Sequence, residues 1–144
     1  MTGILSLDQV FSFVGGRTFF LTLVDRFYSK IEKDLILRPI FPTSLEEGKR
    51  WQFLFLIQLF GGPKDYETVR GPAALRRKHL PFKIGLRERN RWVGLMMDTL
   101  DELGIKDNHP ARPIMQSYFE KTATKMINVD AGLEIVKKSE DILT

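Results

Sequence analysis

The chain has 144 residues, 43% of them hydrophobic and 28% charged, which is the composition of one folded domain rather than a disordered segment. It contains no cysteine, and this excludes disulfides, thiolate catalysis and thiolate-bound zinc or iron–sulfur clusters. A net charge of +4 and a pI of about 9.4 suit an anionic partner, which could be a nucleic acid, a membrane surface or a small acidic ligand.

The N-terminal segment carries no signal for export or membrane insertion. It lacks a basic region, and Asp8 interrupts its apolar run. The most apolar stretch, Trp51–Phe60, has about half the length needed to cross a bilayer. We therefore expect a soluble cytoplasmic protein without a membrane partner.

Hydrophobic residues recur at three- and four-residue steps along most of the chain, which predicts an all-α fold without strands. The pattern contains no repeat and no linker, so it indicates one domain. The predicted helices run from Ser6 to before Gly15, from Arg17 to about Lys33, from Thr43 or Ser44 to Gly61, from Ala73 to His79, from after Pro81 to Gly104, and from about Pro113 to Ile127.

Local signals set the ends of several helices. Ser6 and Gln9 form a capping box for the first helix. The two prolines of Arg38–Pro42 predict a tight corner, and the glycines and proline of Gly61–Pro63 end the third helix. Pro63–Pro72 is predicted to be irregular. Residues 129–144 are predicted to form an amphipathic tail that follows a domain of residues 1–128.

His79 is one of two histidines and ends the cationic run Arg76–Lys78, just before Pro81. One interpretation is a surface histidine that bonds a backbone carbonyl. The other is an axial ligand to a heme iron, which needs only one protein nitrogen. The cations would then meet the heme propionates, and Pro81 would turn the chain so that the imidazole faces a flat ligand.

Three polar side chains interrupt otherwise apolar helical faces. Trp92 and Tyr28 are either ordinary core and surface residues or buried donors that need a partner, for which a bound diatomic molecule is one candidate. Gln52 and Gln58 share one apolar helix, and either of them could face solvent.

Five segments, taken in order, resemble the group II truncated hemoglobins. These segments are LVDRFY ending at Tyr28, RPIFP at 38–42, FLIQLFGGP at 55–63, the stretch from Leu75 to Trp92, and SYFEKTATKMIN at 117–128. Single pieces such as GGP are weak signals, whereas the ordered set is highly specific. Trp92 follows His79 by thirteen positions, as Phe41 follows Tyr28.

The resemblance implies a two-over-two helical sandwich that encloses heme b. It makes His79 the proximal iron ligand and Tyr28 and Trp92 the distal hydrogen-bond donors. Counting back from Gly61 places Gly48 and Gln52 toward the ligand, and so favours Gln52 over Gln58. The other heme contacts that the resemblance implies are Phe41, Phe55, Leu75, Arg77, Lys78, Phe82, Ile84, Trp92 and Met96.

Two positions depart from the family pattern. Many members have a tyrosine where this chain has Phe41, so one distal hydroxyl is missing. Gly48 leaves the usual gate position without a side chain, which indicates an open path for the ligand.

The expected function is binding of dioxygen, nitric oxide, carbon monoxide or peroxide at a pentacoordinate heme iron. Slow oxygen release would favour reaction of oxygen with nitric oxide, or of the iron with peroxide, over oxygen transport. We expect an unidentified reductase to supply the electrons and the protein to be a monomer or a homodimer.

Two alternatives stay open. One is a heme-based sensor or interaction module whose tail docks on a partner. The other is a DNA-binding protein that uses Lys83, Arg87, Arg89 and Arg91, although no helix-turn-helix spacing is present.

Overall fold

The computed structural model describes residues 5–70 and 83–129, and the regular structure in these ranges is entirely helical. The helices are α1 (Val10–Val14), α2 (Gly16–Lys33), α3 (Glu46–Leu59), α4 (Asp65–Arg70), α5 (Leu86–Glu102) and α6 (Arg112–Lys125), with short 3-10 turns at Leu7–Gln9 and Arg38–Ile40. The all-α prediction is confirmed. In the ranges covered, no helix combines the length and the apolar character that a membrane crossing needs.

Four long helices pack in two layers around one hydrophobic core. Helix α2 packs against both α3 and α5, and α5 packs against α6. Each of these helices turns an apolar stripe inward because its hydrophobic residues recur at helical spacing. The core side chains with no exposed surface include Phe20, Leu23, Phe27, Ile31, Ile57, Phe60, Met96, Leu100 and Met115. This arrangement is the predicted two-over-two sandwich.

The helix boundaries near the N-terminus confirm the sequence signals. The Ser6 backbone N–H donates to Gln9 Oε1 at 2.9 Å, which is one half of the predicted capping box. Helix α1 ends at Gly15, whose φ of +117° is a left-handed conformation that glycine adopts without strain.

Gly61 ends α3 and also allows the N-terminal segment to lie against it. Its φ is +103°, and a Cβ added there would lie 1.9 Å from the carbonyl oxygen of Asp8. The Phe11 N–H donates to the Phe60 carbonyl at 2.9 Å in the same region. The Gly61–Pro63 stop signal therefore also marks a close approach between two chain segments.

The third helix begins later than predicted, at Glu46 instead of Thr43 or Ser44. The Arg38 guanidinium donates to the carbonyls of Pro42 at 2.9 Å and Thr43 at 2.7 Å, and this holds the chain extended past the corner. Ser44 is consequently not the N-cap, although its hydroxyl accepts the Glu46 N–H at 3.4 Å.

The prediction that Pro63–Pro72 is irregular is wrong, because α4 occupies part of it. Gln58 accepts the Glu67 N–H at 3.0 Å and donates from its amide to the Glu67 carboxylate at 3.3 Å. Tyr66 is 1% exposed and packs its ring against Trp51 and Phe55. These tertiary contacts stabilise a helix that local sequence does not signal. The predicted helix at 73–79 and the tail from 130 onward lie outside the described residues.

Candidate functional site

Tyr28 is a buried residue whose hydroxyl lies at the crossing of α2 and α3. The residue is 7% exposed, and a Cβ added at Gly48 of α3 would lie 3.1 Å from the phenol oxygen. Burial raises the pKa of Tyr28 to about 12, so the hydroxyl stays protonated and able to donate near neutral pH. Nothing in the described ranges accepts or donates a hydrogen bond at this hydroxyl.

Gln52 follows Gly48 by one turn of α3, so both lie on the same face of the helix. Its side-chain oxygen is buried and has no hydrogen-bond partner within residues 5–70 and 83–129. A buried amide oxygen without a partner carries a desolvation penalty, which a polar ligand could offset. Gln58, the rival candidate on α3, is instead bonded to Glu67 of α4.

Trp92 brings a third polar group from α5. Its half-buried ring contacts Phe27 with centroids 5.1 Å apart and Phe119 with centroids 5.8 Å apart. Phe27 also contacts the Tyr28 ring at 5.8 Å, so this one side chain joins the two donor residues. For the described part of the chain, the indole N–H has no protein acceptor. Tyr28, Gln52 and Trp92 can donate hydrogen bonds through a phenol O–H, an amide N–H and an indole N–H, and we call them the donor cluster.

Phe41 completes the aromatic surroundings of the donor cluster from the corner between α2 and α3. Its ring meets the edge of Tyr28 with centroids 6.0 Å apart. Arg38 holds this corner through the carbonyls that follow Phe41. Because phenylalanine has no hydroxyl, Phe41 can neither donate a hydrogen bond to the Tyr28 hydroxyl nor accept one from it.

An ion pair between buried Asp34 and half-exposed Arg91, which the sequence analysis missed, joins the end of α2 to α5. The Asp34 side chain is 3% exposed and accepts the Leu37 N–H at 2.9 Å, the Ile36 N–H at 3.1 Å and Arg91 Nε at 2.5 Å. Burial alone would raise the pKa of Asp34, but these donors outweigh it and hold the pKa below its ordinary value. The sequence signal that could have indicated this ion pair is an aspartate that directly follows a long helix and precedes apolar residues.

Some of the remaining predicted heme contacts lie within the described residues and others lie outside them. Met96 is fully buried, Phe55 is half-buried against Tyr66 at 5.3 Å, and Ile84 is 8% exposed. The Ile84 backbone is anchored by Asn128, whose Oδ1 accepts the Ile84 N–H at 2.9 Å and whose N–H donates to the Ile84 carbonyl at 2.7 Å. The remaining predicted contacts, Leu75, Arg77, Lys78, His79 and Phe82, lie outside the described residues.

The arginines proposed for DNA binding have partners within the protein. Arg87 pairs with Glu88 at 3.1 Å, and Arg89 donates to Thr124 Oγ1 at 3.1 Å and to the Glu120 carbonyl at 3.1 Å. Arg91 is held by Asp34. Arg89 and Arg91 thus bind other segments of the protein, whereas Arg87 is 73% exposed and pairs with its sequence neighbour.

The donor cluster fits a heme pocket that holds a small polar ligand. These polar groups come from three helices, and the part of the chain that the structure describes supplies no hydrogen-bond partner for the Tyr28 hydroxyl, the Gln52 oxygen or the Trp92 indole. Aromatic rings contact Tyr28 and Trp92. Native proteins pair nearly all buried polar groups, so the buried Gln52 oxygen, which has no partner in the described ranges, indicates an external partner. With the two-layer helical fold, this site defines the class of small globins.

Comparisons with known proteins agree with this class. The bacterial-like globin family matches residues 9–128. Group 2 truncated hemoglobin YjbI of Bacillus subtilis is 38% identical over 106 residues, which cover 74% of this chain and 79% of the relative. The group II truncated hemoglobin of Bacillus anthracis has a TM-score of 0.80 at 36% identity and covers 84% of this chain and 97% of its own. The hemoglobin of Chloroflexus aurantiacus has a TM-score of 0.78 at 44% identity, with 83% and 97% covered.

The chain therefore belongs to the bacterial-like globin family, within the group II truncated hemoglobins. Heme b is the cofactor of this family, and small gas molecules are its ligands. The predictions of family, fold and cofactor are thus confirmed.

Proposed function

We propose that this truncated hemoglobin binds dioxygen and related diatomic molecules on heme b, and that the donor cluster retains the polar ligand. When bound, heme supplies a ferrous iron that binds such molecules and exchanges electrons with them. His79 would be the proximal ligand, and Arg77 and Lys78 would meet the propionates. Gly48 and the apolar side chains Phe41, Phe55, Leu75, Phe82, Ile84 and Met96 would surround the porphyrin.

The observation that carries this proposal is the set of polar groups in the donor cluster that have no hydrogen-bond partner within residues 5–70 and 83–129. Each hydrogen bond to the ligand would contribute ~0.5–1.5 kcal/mol, and more in a dry pocket. Two bonds of about 1.4 kcal/mol each would lengthen the residence time of dioxygen about a hundredfold. Carbon monoxide is less polar and would gain less from the same donors.

Long retention of dioxygen favours chemistry on the bound ligand over oxygen transport. We propose oxidation of nitric oxide, in which nitric oxide, dioxygen and one electron combine to give nitrate, or reduction of peroxide. The electrons would come from a separate reductase. The chain itself would contribute the neutral donors of Tyr28 and Trp92, which hold the ligand while the second reactant arrives.

The test is the rate of oxygen release from the Tyr28→Phe and Trp92→Phe variants. Each substitution removes one donor, so we expect release to accelerate roughly tenfold in stopped-flow measurements. Tyr118→Phe is the matched control, because Tyr118 is a tyrosine of α6 whose pKa burial also raises to about 12, and it lies outside the donor cluster. Unchanged release in both cluster variants would refute the proposed function.

A further inference from the structure

A side chain at position 48 would lie closer to the Tyr28 hydroxyl than ordinary van der Waals packing allows. A Cβ on residue 48 would lie 3.1 Å from the phenol oxygen, whereas its next contacts, the Cζ and Cε2 atoms of the same ring, would both be at 3.7 Å. Only the hydroxyl is therefore crowded. A phenylalanine at position 28 would leave a Cβ at position 48 in ordinary van der Waals contact.

The phenol ring has little freedom to move away from such a Cβ. Tyr28 is 7% exposed, and its ring meets Phe27 and Phe41 edge to face at 5.8 and 6.0 Å. The helix crossing is also tightly packed, because buried side chains of α2 and α3, among them Phe27 and Ile57, belong to one hydrophobic core. An added methyl group would thus displace the hydroxyl more readily than the helices.

Helix propensity gives no reason for glycine at this position. Gly48 lies in the first turn of α3, where alanine would form helix more readily. Gly94 of α5 provides the comparison, because a Cβ there would meet nothing within 4 Å. A glycine in α3 whose added Cβ would crowd one hydroxyl suggests a role tied to that hydroxyl.

We propose that Gly48 is a positioning residue for Tyr28, because its missing Cβ leaves the space that the phenol oxygen occupies. The inference rests on the proposed function, in which Tyr28 retains dioxygen. According to this inference, residue 48 sets the strength of the hydrogen bond from Tyr28 to the ligand, and so the ligand residence time. An open entry path at Gly48 would instead control the rate of oxygen entry whatever residue stands at 28.

The test compares the wild type, Gly48→Ala, Tyr28→Phe and the double variant as heme-loaded proteins. We expect Gly48→Ala to accelerate oxygen release roughly tenfold in the wild type and less than about twofold in Tyr28→Phe. Gly94→Ala is the control and should leave release unchanged in both backgrounds. Gly48→Ala effects that are equal in the two backgrounds, or that change only the rate of oxygen association, would overturn the inference.

A second readout needs no oxygen. The urea midpoint of the ferric protein, followed by far-UV circular dichroism, should rise on Gly48→Ala in Tyr28→Phe but not in the wild type. Gly94→Ala should raise it in both. Equal shifts for Gly48→Ala in the two backgrounds would also count against the inference.

The outcomes separate this inference from the proposed function. If Tyr28→Phe and Trp92→Phe both leave oxygen release unchanged, the proposed function fails and the inference fails with it. If only Tyr28→Phe leaves release unchanged, the inference alone fails. If Tyr28→Phe accelerates release but Gly48→Ala does not, only the inference fails.

Discussion

Replacing Asp34 with asparagine should expose how much the ion pair between α2 and α5 contributes to stability. Asparagine keeps the shape of the side chain but removes the charge that Arg91 and the N–H groups of Ile36 and Leu37 stabilise. Breaking a fully buried ion pair costs ~3–5 kcal/mol. The Arg91 side chain is 49% exposed, so water compensates it in part, and we expect a loss of about 2–3 kcal/mol in the free energy of unfolding.

The effect should also depend on pH in a definite direction. The folded-state pKa of Asp34 is lowered from 3.8, so its stabilisation is present above that value and is lost as the pH falls through the folded pKa. Asparagine does not titrate there. The stability difference between wild type and Asp34→Asn should therefore be largest near neutral pH and shrink below about pH 4.

Urea unfolding followed by far-UV circular dichroism, at about pH 7 and about pH 3, measures this difference. Asp25→Asn is the control, because Asp25 is 68% exposed in its pair with Lys49 and should contribute ~0–1 kcal/mol. A stability loss that is the same at both pH values, or no larger than that of Asp25→Asn, would refute the reasoning.

Gly61→Ala should destabilise the protein by more than Gly104→Ala, measured by urea unfolding. Both glycines have positive φ, so each substitution costs ~1–3 kcal/mol in strain, but only a Cβ at Gly61 would collide with backbone. Equal losses in the free energy of unfolding would contradict this account. His79→Ala should lose most of its stable heme, whereas His109→Ala should retain it; full porphyrin absorption in His79→Ala would disprove the ligand assignment. Gln52→Leu should accelerate oxygen release, because it removes the amide donor. It should not lower the urea midpoint, because the buried Gln52 oxygen lacks a partner in the described structure; a lower midpoint would indicate a structural role.

Helix patterns and the family motifs predicted the fold well because the information is local. Three- and four-residue spacing marks one face of a helix, and the Ser6–Gln9 box and Gly15 act within a single turn. The same local information failed for α4, which depends on Gln58 and Tyr66 contacts made across the chain. Gln52 was favoured over Gln58 through family resemblance, whereas the residues alone left both open.

Sequence order was enough to establish the helical class, the globin family and the residue types of the donor cluster, since periodicity and motif spacing are properties of the chain itself. The tertiary structure decided which of these groups lack a partner among residues 5–70 and 83–129. Three features depend on residues that are far apart in sequence. They are the burial of the Gln52 oxygen, the ion pair of Asp34 with Arg91, and the short distance between position 48 and the Tyr28 hydroxyl. Such contacts arise only when helices pack, because desolvation and steric exclusion depend on neighbours in space.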